Sequence, residues 1–174
     1  MSTIDLLRHG EPRGGVRYRG DGVDDPLSER GWEQMWAAVA QTSDWTHVVT
    51  SPLRRCREFA EVLATRSDIP LVVDTRLREV GFGAWEGRRH DEVRDADPAA
   101  YLAFFRDAVN HRPPGAEPLD TFYRPRFRVD SRFESAFSPT MLTDATGRLN
   151  DEIGDDVALG RVANAPPKKA VAGA

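Results

Sequence analysis

Three stretches of this chain carry residue types that could do chemistry together. A short apolar run, TIDLL, ends on Arg8-His9-Gly10-Glu11. A second apolar run ends on Ser51-Pro52-Leu53-Arg54-Arg55. The third, LREVGFGAWEG, places Glu79 and Glu86 among glycines and aromatics. Guanidinium groups bind phosphate oxygens in pairs of charge-assisted hydrogen bonds. A helix N-terminus attracts anions through its free N–H groups and dipole. A neutral histidine among such groups attacks phosphorus and forms a phosphohistidine. The arginines stabilise charge on the transferring oxygens, and a carboxylic acid protonates the departing oxygen. Both Glu79 and Glu86 fit that last role by residue type.

Each piece alone has an ordinary structural reading. A single histidine after a strand is more often structural than catalytic, and Arg54, Arg55 and Arg57 on one helix would usually be a solvated face. Glu79 and Glu86 would usually be surface carboxylates, and Phe82 and Trp85 core. The conjunction and its order along the chain make the signal specific.

The elements that must position these residues alternate. Residues 3–8 read as a buried strand, and His9 falls where such a strand ends. In open α/β sheets the ligand crevice lies at that carboxyl edge. Ser28 is placed to cap a helix running to Gln41, with Trp32, Met35, Trp36 and Val39 at helical spacing. Residues 47–50 form a second strand. Ser51 as N-cap and Pro52 at the first helical position start another helix, with Cys56, Phe59, Ala60 and Leu63 on its inner face. Residues 69–73 form a third strand. This order predicts a three-layer α/β/α fold with a mainly parallel sheet. Residues 77–87 read as a structured loop. Asp97-Pro98 starts a helix to Ala108, and residues 110–118 form a rigid loop.

The character changes after Arg124. Residues 125–174 hold both lysines of the chain, Lys168 and Lys169, and no His, Trp, Tyr or Cys. No strand run stands out there, so weak helices or coil are expected, ending in a disordered ANAPPKKAVAGA. The domain reading is residues 1–124 as the folded domain and 125–174 as a divergent, partly disordered tail.

Bulk properties narrow the function classes. The chain has 174 residues and a formal net charge of −4, without a basic-aromatic stripe, which disfavours nucleic acid as a partner. No apolar run approaches a membrane helix, and the N-terminus lacks the pattern of a signal peptide. A single cysteine, Cys56, permits no internal disulfide and suits the cytoplasm. Cys56 reads as a small buried apolar residue rather than a nucleophile. His9, His47, His90 and His111 show no ligand spacing, so no metal is expected. The glycine-rich stretches lack the strand–Gly–helix context of a dinucleotide site, so no cofactor is expected.

Taken together, LLRHGE, SPLRRCREFAE, LREVGFGAWEG and RPPGAEPLDTFY resemble the histidine phosphatase superfamily, in its phosphoglycerate mutase-like branch. The stretch from Arg8 to Met35 resembles most the α-ribazole phosphatases, which act in assembling the cobalamin nucleotide loop. The resemblance covers residues 3–124. It implies a hydrolase acting on a small phosphorylated metabolite. It also implies that His9 is the phosphorylated nucleophile and that Arg8 and Arg55 bind phosphate. Glu79 matches the proton donor, which leaves Glu86 a supporting role. Arg17 and Arg19 fall in the substrate-facing loop and are candidate substrate contacts. A phosphoglycerate mutase-type transferase and a catalytically impaired phospho-ligand or protein-binding remnant are the alternatives.

The chain departs from the family at one point. The family carries a second active-site histidine in a late His-Gly motif after an apolar strand, and the last histidine here is His111. The resemblance therefore implies a fold incomplete at its C-terminus, with impaired turnover.

Overall fold

The computed structural model describes residues 3–41, 44–126 and 159–163. They fall into two units, one holding residues 3–8 and 159–163, the other residues 9–126. The first is a two-stranded antiparallel sheet of β1 (Thr3–Leu7) and β4 (Leu159–Ala163), in register from Thr3 opposite Ala163 to Leu7 opposite Leu159. A strand in the tail corrects the expectation of helix or coil there. LGRVA lacks the alternation that marks a strand in sequence, and here the pairing partner supplies the order. The rest of the expected tail, apart from Pro125 and Arg126, lies outside the described residues.

The second unit follows the expected alternation: α1 (Glu29–Val39), β2 (Val48–Thr50), α2 (Arg54–Ser67), β3 (Leu71–Val73), α3 (His90–Ala96), α4 (Pro98–Arg106) and α5 (Leu119–Arg126). β2 and β3 pair in parallel, Val48 opposite Leu71 through Thr50 opposite Val73. Two single 3₁₀ turns, Thr75–Leu77 and Gly83–Trp85, shape the loop between β3 and α3.

Ser28 caps α1, its Oγ accepting from the Gly31 N–H at 3.0 Å. Met35 and Val39 bury the inner face of α1. Trp32 and Trp36 lie against Phe59 of α2, with ring centroids 5.6 and 4.7 Å away. α2 starts two residues later than its sequence suggests. Ser51 Oγ accepts from Leu53 N–H and holds a bend at Pro52-Leu53, and the first helical N–H, that of Arg54, is capped by Asp24 at 2.6 Å. Asp97 caps α4 as expected, accepting from Ala100 N–H at 2.9 Å.

The His9–Glu11 segment is seated on α1. Gly10 N–H points at the Met35 sulfur, 3.0 Å away, and Glu11 N–H donates to Gln34 Oε1 at 2.9 Å. A Cβ on Gly10 would lie 2.3 Å from the Gly31 carbonyl oxygen, and one on Gly31 would lie 2.1 Å from that of Glu11. Two backbones touch here, so neither can yield as a flexible side chain would. Gly31→Ala is expected to destabilise the fold by roughly 1–3 kcal/mol through overpacking. Chemical denaturation measures this, and wild-type stability in the variant would refute the close approach.

Candidate active site

His9 leaves the strand on this glycine contact. Its Nδ1 lies 2.8 Å from the Gly10 carbonyl oxygen. A carbonyl only accepts, so Nδ1 carries the proton of that bond. Nε2 then keeps the lone pair, the tautomer a nucleophile requires.

Arg55 comes from the first turn of α2 and is 1% exposed. Nη1 donates to the Val23 carbonyl at 3.2 Å, and Nη2 donates to the Gly20 carbonyl at 2.9 Å and to Glu79 Oε2 at 2.7 Å. Its Nε is buried without a hydrogen-bond partner. Buried donors are rarely left unsatisfied, so this N–H marks a place for an acceptor. The Glu79 side chain at the other end of the ion pair is 43% exposed. The structure thus brings Arg55 and Glu79 together across 24 residues of sequence.

The other arginines separate by role. Arg54 is turned outward and pairs with Glu58 one helical turn on, at 2.7 Å. Arg17 is half-buried and folds back on the Gly14 carbonyl, its Nε at 3.1 Å. Arg19 is buried, with Nε on Asp25 at 3.1 Å and Nη2 on the carbonyls of Arg13 and Gly15 at 2.7 and 2.8 Å. These bonds tie Arg19 to its own loop of residues 13–25. Arg8 is exposed and belongs to the first unit. Glu86 accepts from Phe82 N–H at 2.7 Å and so closes the turn around Gly83–Trp85.

The remaining histidines have other partners. His47 Nδ1 sits 3.1 Å from Thr46 Oγ1, and His111 Nδ1 sits 3.2 Å from the Asp107 carbonyl oxygen. His90 opens α3 and stacks on Tyr18, with centroids 4.3 Å apart and planes at 16°. Burial holds its imidazole below the usual histidine range. Tyr18, Trp85 and Val93 form a buried cluster, flanked by Phe82, Tyr101 and Phe104, that fixes the loop of residues 77–87 against α3 and α4. Among the described residues no group of three or more His, Cys, Asp or Glu is arranged to hold a metal ion, and no helix is long and apolar enough to cross a membrane.

Cys56 follows Arg55 on α2. Burial pushes its thiol up to about 11. At pH 8 the thiolate is then about one part in a thousand, so labelling by a thiol reagent should be slow in the folded protein and fast after unfolding. Rapid labelling of the native protein would show an activated cysteine instead.

Sequence reasoning passed over Arg78, Asp21 and Glu117. Arg78 pairs with Asp21 and with Glu117, the latter at 2.7 Å. These residues are far apart in sequence, and only the adjacency of Arg78 to Glu79 hinted at a role.

Comparison with known proteins identifies the family. The profile of the Histidine phosphatase superfamily (branch 1) matches residues 4–136, continuing past Arg124, where the motif resemblance stops. Glucosyl-3-phosphoglycerate phosphatase of Mycolicibacterium vanbaalenii is 42% identical over 121 residues, covering 67% of this chain and 53% of that protein. The chain spans between about 34% and 54% of the length of the first curated relatives it matches. A mycobacterial glucosyl-3-phosphoglycerate phosphatase solved with VO3 superposes with a TM-score of 0.66 at 32% identity, covering 82% of this chain and 71% of that one. An Escherichia coli structure provisionally assigned as an alpha-ribazole-5′-P phosphatase gives a TM-score of 0.60 at 24% identity, covering 85% of this chain and 68% of that one, a likeness of fold alone. This chain is a member of the histidine phosphatase superfamily, with its mixed α/β, phosphoglycerate mutase-like fold.

Proposed function

We propose that the chain is a phosphomonoesterase that acts on a small phosphorylated metabolite through a phosphohistidine at His9. The observation that carries this reading is Arg55. A guanidinium 1% exposed, with an unpartnered Nε and Glu79 on its Nη2, is a cost to the fold unless an anion takes the free donor.

The reaction runs in two displacements. His9 Nε2 attacks phosphorus, the bond from phosphorus to the ester oxygen breaks, and Glu79 as the acid gives its proton to that oxygen. Water then attacks the phosphohistidine, Glu79 takes a proton from it, and inorganic phosphate leaves with His9 restored. Arg55 binds the phosphoryl oxygens, and the family resemblance gives Arg8 the same role. Phosphate and Glu79 compete for the same Arg55 guanidinium, so binding loosens Glu79 for its swing to the leaving oxygen. With no histidine after His111, turnover lacks one donor of the family site and is slow, by roughly 10²- to 10³-fold.

Among substrates, a glycerate phosphate carrying a sugar ranks above α-ribazole 5′-phosphate. The relative named for the first is 42% identical, and the neighbour named for the second shares only the fold. A cytoplasmic setting fits either substrate. The test is phosphate release from glucosyl-3-phosphoglycerate, α-ribazole 5′-phosphate and p-nitrophenyl phosphate, with His9→Ala alongside. Release above that control, greatest for the glycerate ester, is expected. Vanadate binding without release would instead identify a phospho-ligand binder that has lost its turnover.

A further inference from the structure

We propose that Arg78 and Glu117 are positioning residues that hold the backbone under Glu79, and so set where its carboxyl delivers a proton. The inference rests on the reading of Glu79 as proton donor.

Arg78 reaches in three directions. Nη1 pairs with Asp21 of the loop before α1 and donates to the Glu79 carbonyl at 3.2 Å, while Nη2 pairs with Glu117 at 2.7 Å. Glu117 grips the same segment from the far side. Its Oε2 accepts from Gly81 N–H at 3.3 Å, and its own N–H donates to the Gly81 carbonyl at 3.1 Å. Arg112 adds Nη2 to the Gly81 carbonyl at 2.8 Å and Nε to the Glu117 carbonyl at 3.2 Å. Its guanidinium lies 5.1 Å from the centroid of Phe82.

Glu79, Val80 and Gly81 belong to no regular element, so no ladder of backbone bonds fixes them. Arg78, Arg112 and Glu117 supply those bonds instead. Arg78 and Glu117 side chains are 29% and 17% exposed, sheltered enough for the pair to keep one geometry. The pair also ties residues 20–21, whose Gly20 carbonyl is held by Arg55, to the loop carrying Glu79. A general acid shifted by an ångström loses up to about 100-fold in rate.

The discriminating experiment varies the leaving group. A p-nitrophenolate departs without a proton, whereas an alkoxide needs one. We compare kcat/KM for p-nitrophenyl phosphate and for an alkyl phosphate, glycerol 2-phosphate, in the wild type, Arg78→Met, Glu117→Gln and Glu79→Gln. The expected result is a fall in the alkyl-to-aryl ratio of about 10- to 100-fold in Arg78→Met and Glu117→Gln, in the direction of Glu79→Gln. Thermal melts run beside the kinetics. Glu117→Gln keeps the shape and one of the two acceptor oxygens, so it remains informative if Arg78→Met folds poorly. An unchanged ratio, or equal losses on both substrates, overturns the positioning role. Wild-type release no greater than that of His9→Ala overturns the phosphatase reading and this inference with it, a result distinct from an active wild type with an unmoved ratio.

Discussion

His9→Ala is expected to lose phosphatase turnover by roughly 10⁴-fold or more, the scale on which an enzyme depends on its covalent nucleophile. Cys56 is held as the thiol by burial, and Nδ1 of His9 is bonded to the Gly10 carbonyl, which assigns the attack to Nε2. The ring is half-buried and its Nδ1 bond runs to the carbonyl of its own neighbour, so its removal should cost little stability. Loss of activity with an unchanged melting curve is therefore the expected pair of results. Rapid-quench labelling with a ³²P-phosphate ester checks the intermediate directly. The wild type should carry an acid-labile, base-stable phosphoryl group, and His9→Ala should carry none. A label that persists in the variant would place the nucleophile elsewhere. A slow second step, expected with no histidine after His111, would make the label accumulate rather than vanish.

The parts of this site legible in the sequence are those set by local rules. Gly10 after His9 and Gly31 in α1 are readable as small residues, and the structure supplies the reason, a backbone contact that admits no Cβ. Ser28 and Asp97 were visible as caps because capping depends on one side chain and a neighbouring N–H. Between the two arginines of SPLRR it was the family resemblance, not a local rule, that singled out Arg55, and the structure turns Arg54 to Glu58 on the surface and Arg55 inward. What composition hid was long-range pairing. Asp24, rather than Ser51, caps α2 because the loop folds back across 30 residues. Arg19 was a candidate substrate contact because the resemblance places it in the substrate-facing loop, yet it is buried with its donors on the loop itself. The Arg78–Glu117 pair spans 39 residues, and β4 is a strand only through β1. None of these follows from periodicity or local propensity.

Arg55→Met should fail in two ways at once, and the two are separable. The substitution keeps the volume of the side chain but removes its donors. The carbonyls of Gly20 and Val23 then lose the Arg55 donors, at about 1–3 kcal/mol each if they stay buried. The ion pair to Glu79 adds little, because the carboxylate end is 43% exposed and solvent screens it. A loss of about 2–4 kcal/mol is expected in chemical denaturation, since water can re-solvate part of the loop. Catalysis should fall further than stability explains. One phosphate donor is gone, so kcat/KM should drop by about 10²- to 10³-fold under conditions where the variant is still folded. Arg55→Lys decides between the two effects. A lysine ammonium restores charge and some of the carbonyl bonding, but it cannot present the flat fork with Nε and Nη2 that meets a phosphate edge. Stability should return in part while inhibition by vanadate stays weak. If Arg55→Lys recovers vanadate affinity together with stability, the unpartnered Nε is not the anion donor, and the buried arginine serves only to tie α2 to the loop of residues 20–23.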